Sequence, residues 1–308
     1  MAEGPIAAVT NPGGDWLDPA PSRLRPMDLG DLLDHAFRLY RENLGCFFGV
    51  VLLVNLAVFA LENGMEVERA NKRLAAGVHM GPDGTPQVDL QAVVGPAAVI
   101  WTFFLVRFVL IQLSMAALTF AASRRFLGEP AGIFDSYRAV LPRFPVLLLT
   151  GLLAGLCYSV GCAMLCMPGL MLMAAFVFAP LVVVLERSGP VRALRRSFEL
   201  TVLRSAGRGL RHNFFKISMI LTLFTLVTLA AYSLASTPRM MLYGYYHWVG
   251  LRPDLVVSDA TERLLRTVEY LGISAAEPLG MTALVLLYYD IRMRAEGFDL
   301  ERILERRS

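Results

Sequence analysis

Arg107 and Glu277 stand out because each lies inside a long apolar run. A charge at the centre of a bilayer costs about 2.5–3.5 kcal/mol or more, so such residues pair, face a polar cavity or serve a site. Arg107 follows Val94 by 13 residues, and Glu277 follows Arg266 by 11. If both runs enter from the same face, the two groups sit at similar depth, and the economical expectation is an intramembrane polar pair. Two roles fit such a pair. One is structural, an ion pair or a protonated carboxyl that fixes helix register. The other is a site for an ion, a proton or an anionic headgroup in a polar cavity. Pro278 supports the second role, because its missing N–H frees a carbonyl in the preceding turn, and broken membrane helices coordinate cations in this way.

A second concentration of charge runs from Arg187 to Lys216 and includes Arg192, Arg195 and Arg196. Basic clusters beside a span bind anionic lipid headgroups or an acidic cytoplasmic protein partner; they also mark the cytoplasmic side by themselves. Net charge is only +3, and no basic groove interleaved with aromatics occurs, so nucleic acid is excluded as a partner. His35, His79, His212 and His247 are scattered. No zinc-protease, nucleophile-elbow or phosphate-loop motif is present. Cys162 and Cys166 share a helix face, yet no histidine or acid lies near them in sequence, and they read as small packing residues. Glu66 and Glu68 read as solvated carboxylates on a loop. The expectation is a protein that is not an enzyme and carries no cofactor or metal.

The elements that position these residues follow from composition. Of 308 residues, 56% are hydrophobic and 18% charged; soluble domains carry about 25% charge. From Phe144 to Leu185 there is no charged residue or histidine in 42 positions. One span needs about 20 residues, so this block is two spans joined at Cys166-Met167-Pro168-Gly169. The six spans are placed at about 44–61, 94–122, 144–165, 169–186, 215–236 and 266–289. Lys and Arg divide 21 to six between the two sides, which puts both termini in the cytoplasm.

Amphipathic patterns precede the odd-numbered spans: Leu29, Leu32, Leu33, Ala36, Phe37 and Tyr40; then Ile133, Phe134, Tyr137, Val140 and Leu141; then Val191, Leu194, Phe198 and Val202. Each is expected to lie along the cytoplasmic interface. The fold class expected is therefore all-α: a polytopic membrane protein with six transmembrane helices arranged as three hairpins, each preceded by an amphipathic interfacial helix. Residues 1–26, rich in proline, are expected to be a disordered cytoplasmic tail. Residues 27–300 form the membrane domain, and 301–308 a second cytoplasmic tail. Tyr243, Tyr245, Tyr246, His247 and Trp248 are expected in an outer loop over 237–265, and Tyr288 and Tyr289 at the interface.

Three segments resemble a known family. They are Arg25-Pro26-Met27-Asp28-Leu29-Gly30-Asp31-Leu32-Leu33-Asp34-His35-Ala36-Phe37-Arg38-Leu39-Tyr40-Arg41, then Gly189-Pro190-Val191-Arg192-Ala193-Leu194-Arg195-Arg196-Ser197-Phe198-Glu199-Leu200-Thr201, and finally Leu286-Leu287-Tyr288-Tyr289-Asp290-Ile291-Arg292-Met293-Arg294-Ala295-Glu296-Gly297-Phe298-Asp299-Leu300. Together they resemble the glycerophosphoryl diester phosphodiesterase membrane-domain family of bacteria. In the namesake enzymes a separate barrel of roughly 250 residues does the chemistry. Stretches such as 62–93 and 187–214 are far shorter, so the resemblance implies the membrane module alone, in the bacterial inner membrane. The function expected is a scaffold or accessory subunit in envelope or lipid-related processes, embedded in the lipid bilayer. The alternative is a transporter of a small solute or lipid that uses a mid-membrane polar cavity.

Overall fold

The computed structural model describes residues 28–80, 85–164, 166–203, 211–251 and 256–296. The expected tails 1–26 and 301–308 and the Gly81–Gly84 turn lie outside these residues, as does part of the basic run. Among the described residues six helices are long and apolar enough to cross a membrane. In chain order the elements are α1 (Leu29–Glu42), α2 (Leu44–Gly64), α3 (Val67–Ala76), the short antiparallel strands β1 (Val78–Met80) and β2 (Pro86–Val88), and α4 (Leu90–Phe126). Then follow α5 (Ile133–Val140), α6 (Phe144–Met164), α7 (Cys166–Ala175), α8 (Ala179–Leu185), α9 (Pro190–Phe198), α10 (Arg211–Trp248) and α11 (Asp259–Glu296). The spans are α2, α4, α6, α7 with α8, α10 and α11.

Three spans are longer than the hydropathy pattern indicates. α4 has 37 residues, and α10 and α11 have 38 each. At about 1.5 Å per residue each measures roughly 55 Å, well beyond a hydrocarbon core of about 30 Å. Pro238 does not end α10, so Tyr243 to Trp248 occupy its last turns instead of a loop. Likewise 62–93 is not a bare loop: it holds α3 and the strand pair. We call the α3 side of the bundle distal and the α9 side proximal.

α11 is the axis. Half of its membrane window is buried, against 11% in α4, and α1, α2, α4 and α10 all pack on it. The main core lies in its proximal half. There Ala116, Ala117, Ala121 and Ala122 of α4 are fully buried, together with Phe47, Leu181, Ile217 and the α11 residues Val285 to Tyr288. Small residues let helix backbones approach where no hydrophobic effect drives association. A distal cluster of Val54, Val58, Val67 and Phe103 is much smaller.

The fourth span is interrupted. α7 ends at Ala175, a turn follows, and Pro180 sits in the first turn of α8. Non-helical backbone at membrane depth needs partners from the protein. Ser197 supplies them: its Oγ donates to the Ala175 carbonyl at 2.7 Å and accepts from the Phe178 N–H at 3.2 Å. Thr201, in a wide π turn after α9, also donates to Ala175 O at 3.4 Å.

The short helices α1, α5 and α9 direct much of their patterned face at protein. Leu32, Ala36 and Leu39 of α1 are buried, and the Tyr40 hydroxyl donates to the Ala275 carbonyl of α11 at 2.5 Å. Burial holds that phenol above the usual tyrosine range, so it remains a donor. Tyr137 of α5 donates to Val50 O of α2 at 2.6 Å. Phe134 and Val191 stay exposed.

α6 and α7 meet through glycines. A Cβ on Gly161 would lie 2.9 Å from the Gly169 Cα, and one on Gly169 only 2.8 Å from the Cys162 nitrogen. Gly169→Val is therefore expected to destabilise the protein by about 1–3 kcal/mol through overpacking. Gly155→Ala, which meets nothing within 4 Å, is the control. Thermal unfolding of both variants in detergent measures the difference; equal midpoints would refute the close-approach account.

Candidate functional site

α11 is the least apolar span, and its polar side chains fall into three layers. In the distal layer Arg266 reaches Glu62 of α2 at 3.0 Å, Glu262 of its own helix at 3.1 Å, and Glu68 of α3. Tyr270 donates to Glu62 at 2.6 Å, and Tyr243 of α10 donates to Glu262 at 2.5 Å. Arg239 of α10 pairs with Glu269 at 2.6 Å. Four helices are thus tied by one charged layer. Glu68 belongs to it, which corrects the expectation of a solvated carboxylate.

The middle layer is smaller. Asn55 of α2 donates to Ser274 Oγ at 2.9 Å and to Glu277 Oε2 at 3.4 Å. Ser274 in turn donates to the Tyr270 carbonyl at 2.6 Å. In the proximal layer Tyr288 donates to Glu186 at 2.7 Å, Arg196 reaches the same carboxylate at 3.3 Å, and Arg292 stands 4.0 Å away. Tyr289 and Ser123 of α4 share a hydrogen bond of 2.6 Å. Both tyrosines are buried; they close the core and do not line the membrane interface as expected.

Between the distal and proximal layers lies a groove of about 790 Å³. α11 forms its floor with Tyr270, Ile273, Glu277, Gly280, Met281 and Leu284. One wall is α4, with Arg107 and Met115; the other is α10, from Ile220 through Phe224 and Thr228 to Arg239. The walls both pack on α11 and have little contact with each other, so the groove opens sideways between them. From Arg266 to Leu284 it follows 18 residues of helix, about 27 Å. Its distal end is charged and its proximal end apolar. The volume is within the ~300–1,000 Å³ range of small-molecule sites.

Arg107 and Glu277 line this one groove, Arg107 exposed on the wall and Glu277 half-buried on the floor. Arg107 lies within electrostatic reach of Glu277 and Tyr270. Among the described residues Arg107 forms no hydrogen bond or ion pair, and Glu277 is held by Asn55. The three α9 arginines diverge. Arg196 is inside the proximal layer, Arg195 pairs with Glu199 at 2.9 Å on the surface, and Arg192 is exposed. Among the described residues no group of three His, Cys, Asp or Glu side chains is placed to hold a metal.

Asn55, Ser274 and Arg239 are the site residues least visible in the sequence. A lone Asn in an apolar span carries a signal, since its amide must find a partner away from water. Arg239 is hidden by Pro238, which mimics a helix end. No protein-family model, curated protein or solved structure matches the chain.

Two outcomes follow from the layers. Arg266→Gln leaves three carboxylates without their shared cation and should cost about 3 kcal/mol, more than Arg107→Gln, when thermal stability is compared in one detergent. Arg107→Leu and Glu277→Leu should combine additively to within about 0.5 kcal/mol. A coupling energy well above that value would establish a direct ion pair.

Proposed function

We propose that this protein binds a membrane-derived amphiphile in the lateral groove and moves it, as part of lipid handling in a bacterial envelope. The observation that carries this reading is the groove itself: open toward lipid between α4 and α10, charged at one end and apolar at the other. A sealed bundle would favour the scaffold role; an open groove lined by Arg107 and Glu277 favours the transporter role. Polar groups in the middle of a membrane are retained where they meet a ligand or a pathway.

The same proposal includes the topology. The 21-to-six division of basic residues supports cytoplasmic termini in an inner membrane, with the distal layer on the far side. Direct packing of α2 on α4, α6 on α7 and α10 on α11 supports three hairpins, led by α1, α5 and α9. Exposed Arg192 and Arg195 on α9 are the groups assigned to anionic headgroups at the cytoplasmic surface. The likeness of the three quoted segments supports kinship with the glycerophosphoryl diester phosphodiesterase membrane-domain family, as a module for lipid contact without the phosphodiesterase barrel.

The test is photolabelling in lipid nanodiscs with a diazirine-bearing phospholipid, mapped by peptide mass spectrometry. Label should concentrate on α10 residues 220–232 and the facing part of α4. Thr228→Trp, which narrows the groove beside Glu277, should reduce it severalfold while leaving the melting temperature unchanged. Uniform labelling of all lipid-facing helices, insensitive to Thr228→Trp, would refute the reading.

A further inference from the structure

Among the described residues six charged side chains line the groove: Glu62, Arg107, Arg239, Arg266, Glu269 and Glu277. Four are matched within the protein, Arg239 with Glu269 and Arg266 with Glu62. Arg107 and Glu277 are the two without a contact ion pair; they lie within electrostatic reach of each other across the groove and do not touch. Among the described residues Arg107 has neither a contact ion pair nor a hydrogen bond, and Glu277 accepts its one hydrogen bond from the neutral amide of Asn55, with Arg107 acting on it only at longer range. Both project from the middle of their spans, where solvation is poor and an unmatched charge is most costly.

The occupant's chemistry follows from this balance. A neutral ligand leaves both charges without a direct partner. A purely anionic one satisfies Arg107 and adds to the negative field of Glu277; a purely cationic one does the reverse. A ligand that carries both signs a few ångströms apart satisfies both. Resting on the groove reading above, we infer that the occupant is a zwitterionic amphiphile with a phosphodiester against Arg107 and a primary ammonium against Glu277. Guanidinium offers a planar fork of donors that fits two phosphate oxygens. An ammonium has three donors and no acceptor, which suits a carboxylate whose orientation Asn55 already fixes. The hydrocarbon tail runs proximally along Ile220, Phe224, Met281 and Leu284. The Thr225 and Thr228 hydroxyls stand beside the glycerol region between head and tail.

Three lysophospholipids with one acyl chain and ethanolamine, choline or glycerol headgroups test this, titrated into the full chain and read by native mass spectrometry. The ethanolamine form should bind about tenfold more tightly than the glycerol form, the gain expected of one charge-assisted hydrogen bond. The choline form should fall between, because its quaternary nitrogen brings charge without a donor. Arg107→Gln should weaken all three similarly. Glu277→Gln should erase the preference for ethanolamine over glycerol without weakening the glycerol form. Equal or tighter binding of the glycerol form by the wild type overturns the inference, as does an unchanged ratio in Glu277→Gln. The wild-type ratio needs no variant, so a variant that fails to fold does not shelter the idea. If all three bind equally and Thr228→Trp displaces them, the zwitterion inference falls and the groove reading stands. If none binds and photolabelling is uniform, both fall.

Discussion

A polar stripe that cannot face lipid, on the long helix α11, organises this molecule. α11 carries Arg266, Glu269, Tyr270, Ser274, Glu277, Tyr288 and Asp290 along a single membrane crossing. In hydrocarbon each unmatched polar group costs several kcal/mol. α1, α2, α4 and α10 therefore pack on α11, and polar partners arrive at particular levels: from α2, α3 and α10 at the distal end, from α2 again in the middle, and from α4 and Glu186 after α8 at the proximal end. α6, α7 and α8 hold no charged residue and have no comparable reason to choose a neighbour. The polar pattern of one helix thus sets the arrangement of the rest.

Packing density follows the same axis but unevenly. At the proximal end alanines on α4 let backbones close on α11, and Phe178 stacks obliquely on Tyr288 with ring centres 5.9 Å apart. Toward the distal end the small residues give way to Arg107, Phe104 and Leu105, which are exposed, and α4 and α10 part. The groove is the space left when two walls share a floor and do not touch each other. Its charged rim belongs to the layer that holds the helices together, so the groove and the architecture draw on the same residues.

The positions of the spans were legible because lipid imposes a simple rule: about 20 apolar residues without charge. Arg107 and Glu277 were legible for the same reason, as violations of that rule. What escaped detection depended on tertiary partners. Pro238 reads as a helix end, yet α10 continues through it while Arg239, the next residue, is fixed by Glu269 on α11. Tyr288 and Tyr289 have the composition of an interfacial anchor, and only the facing Glu186 and Ser123 make them core residues. Glu68 looks solvated until Arg266, 198 residues later, is placed beside it. Hydropathy has no access to such distant matches. The break in the fourth span escaped too, since Pro180 alone does not say whether a helix bends or stops.

That break has a mechanical consequence. Ser197 and Thr201 are fully buried beneath the gap, and they are the side chains that satisfy the Ala175 carbonyl. Lifting α9 away from the bundle would leave that carbonyl and the Phe178 N–H facing hydrocarbon. α9 and the split span are thereby geared together: a displacement of α9 carries α7 and α8 with it, and with them Glu186 at the end of α8, which accepts from Tyr288 of α11.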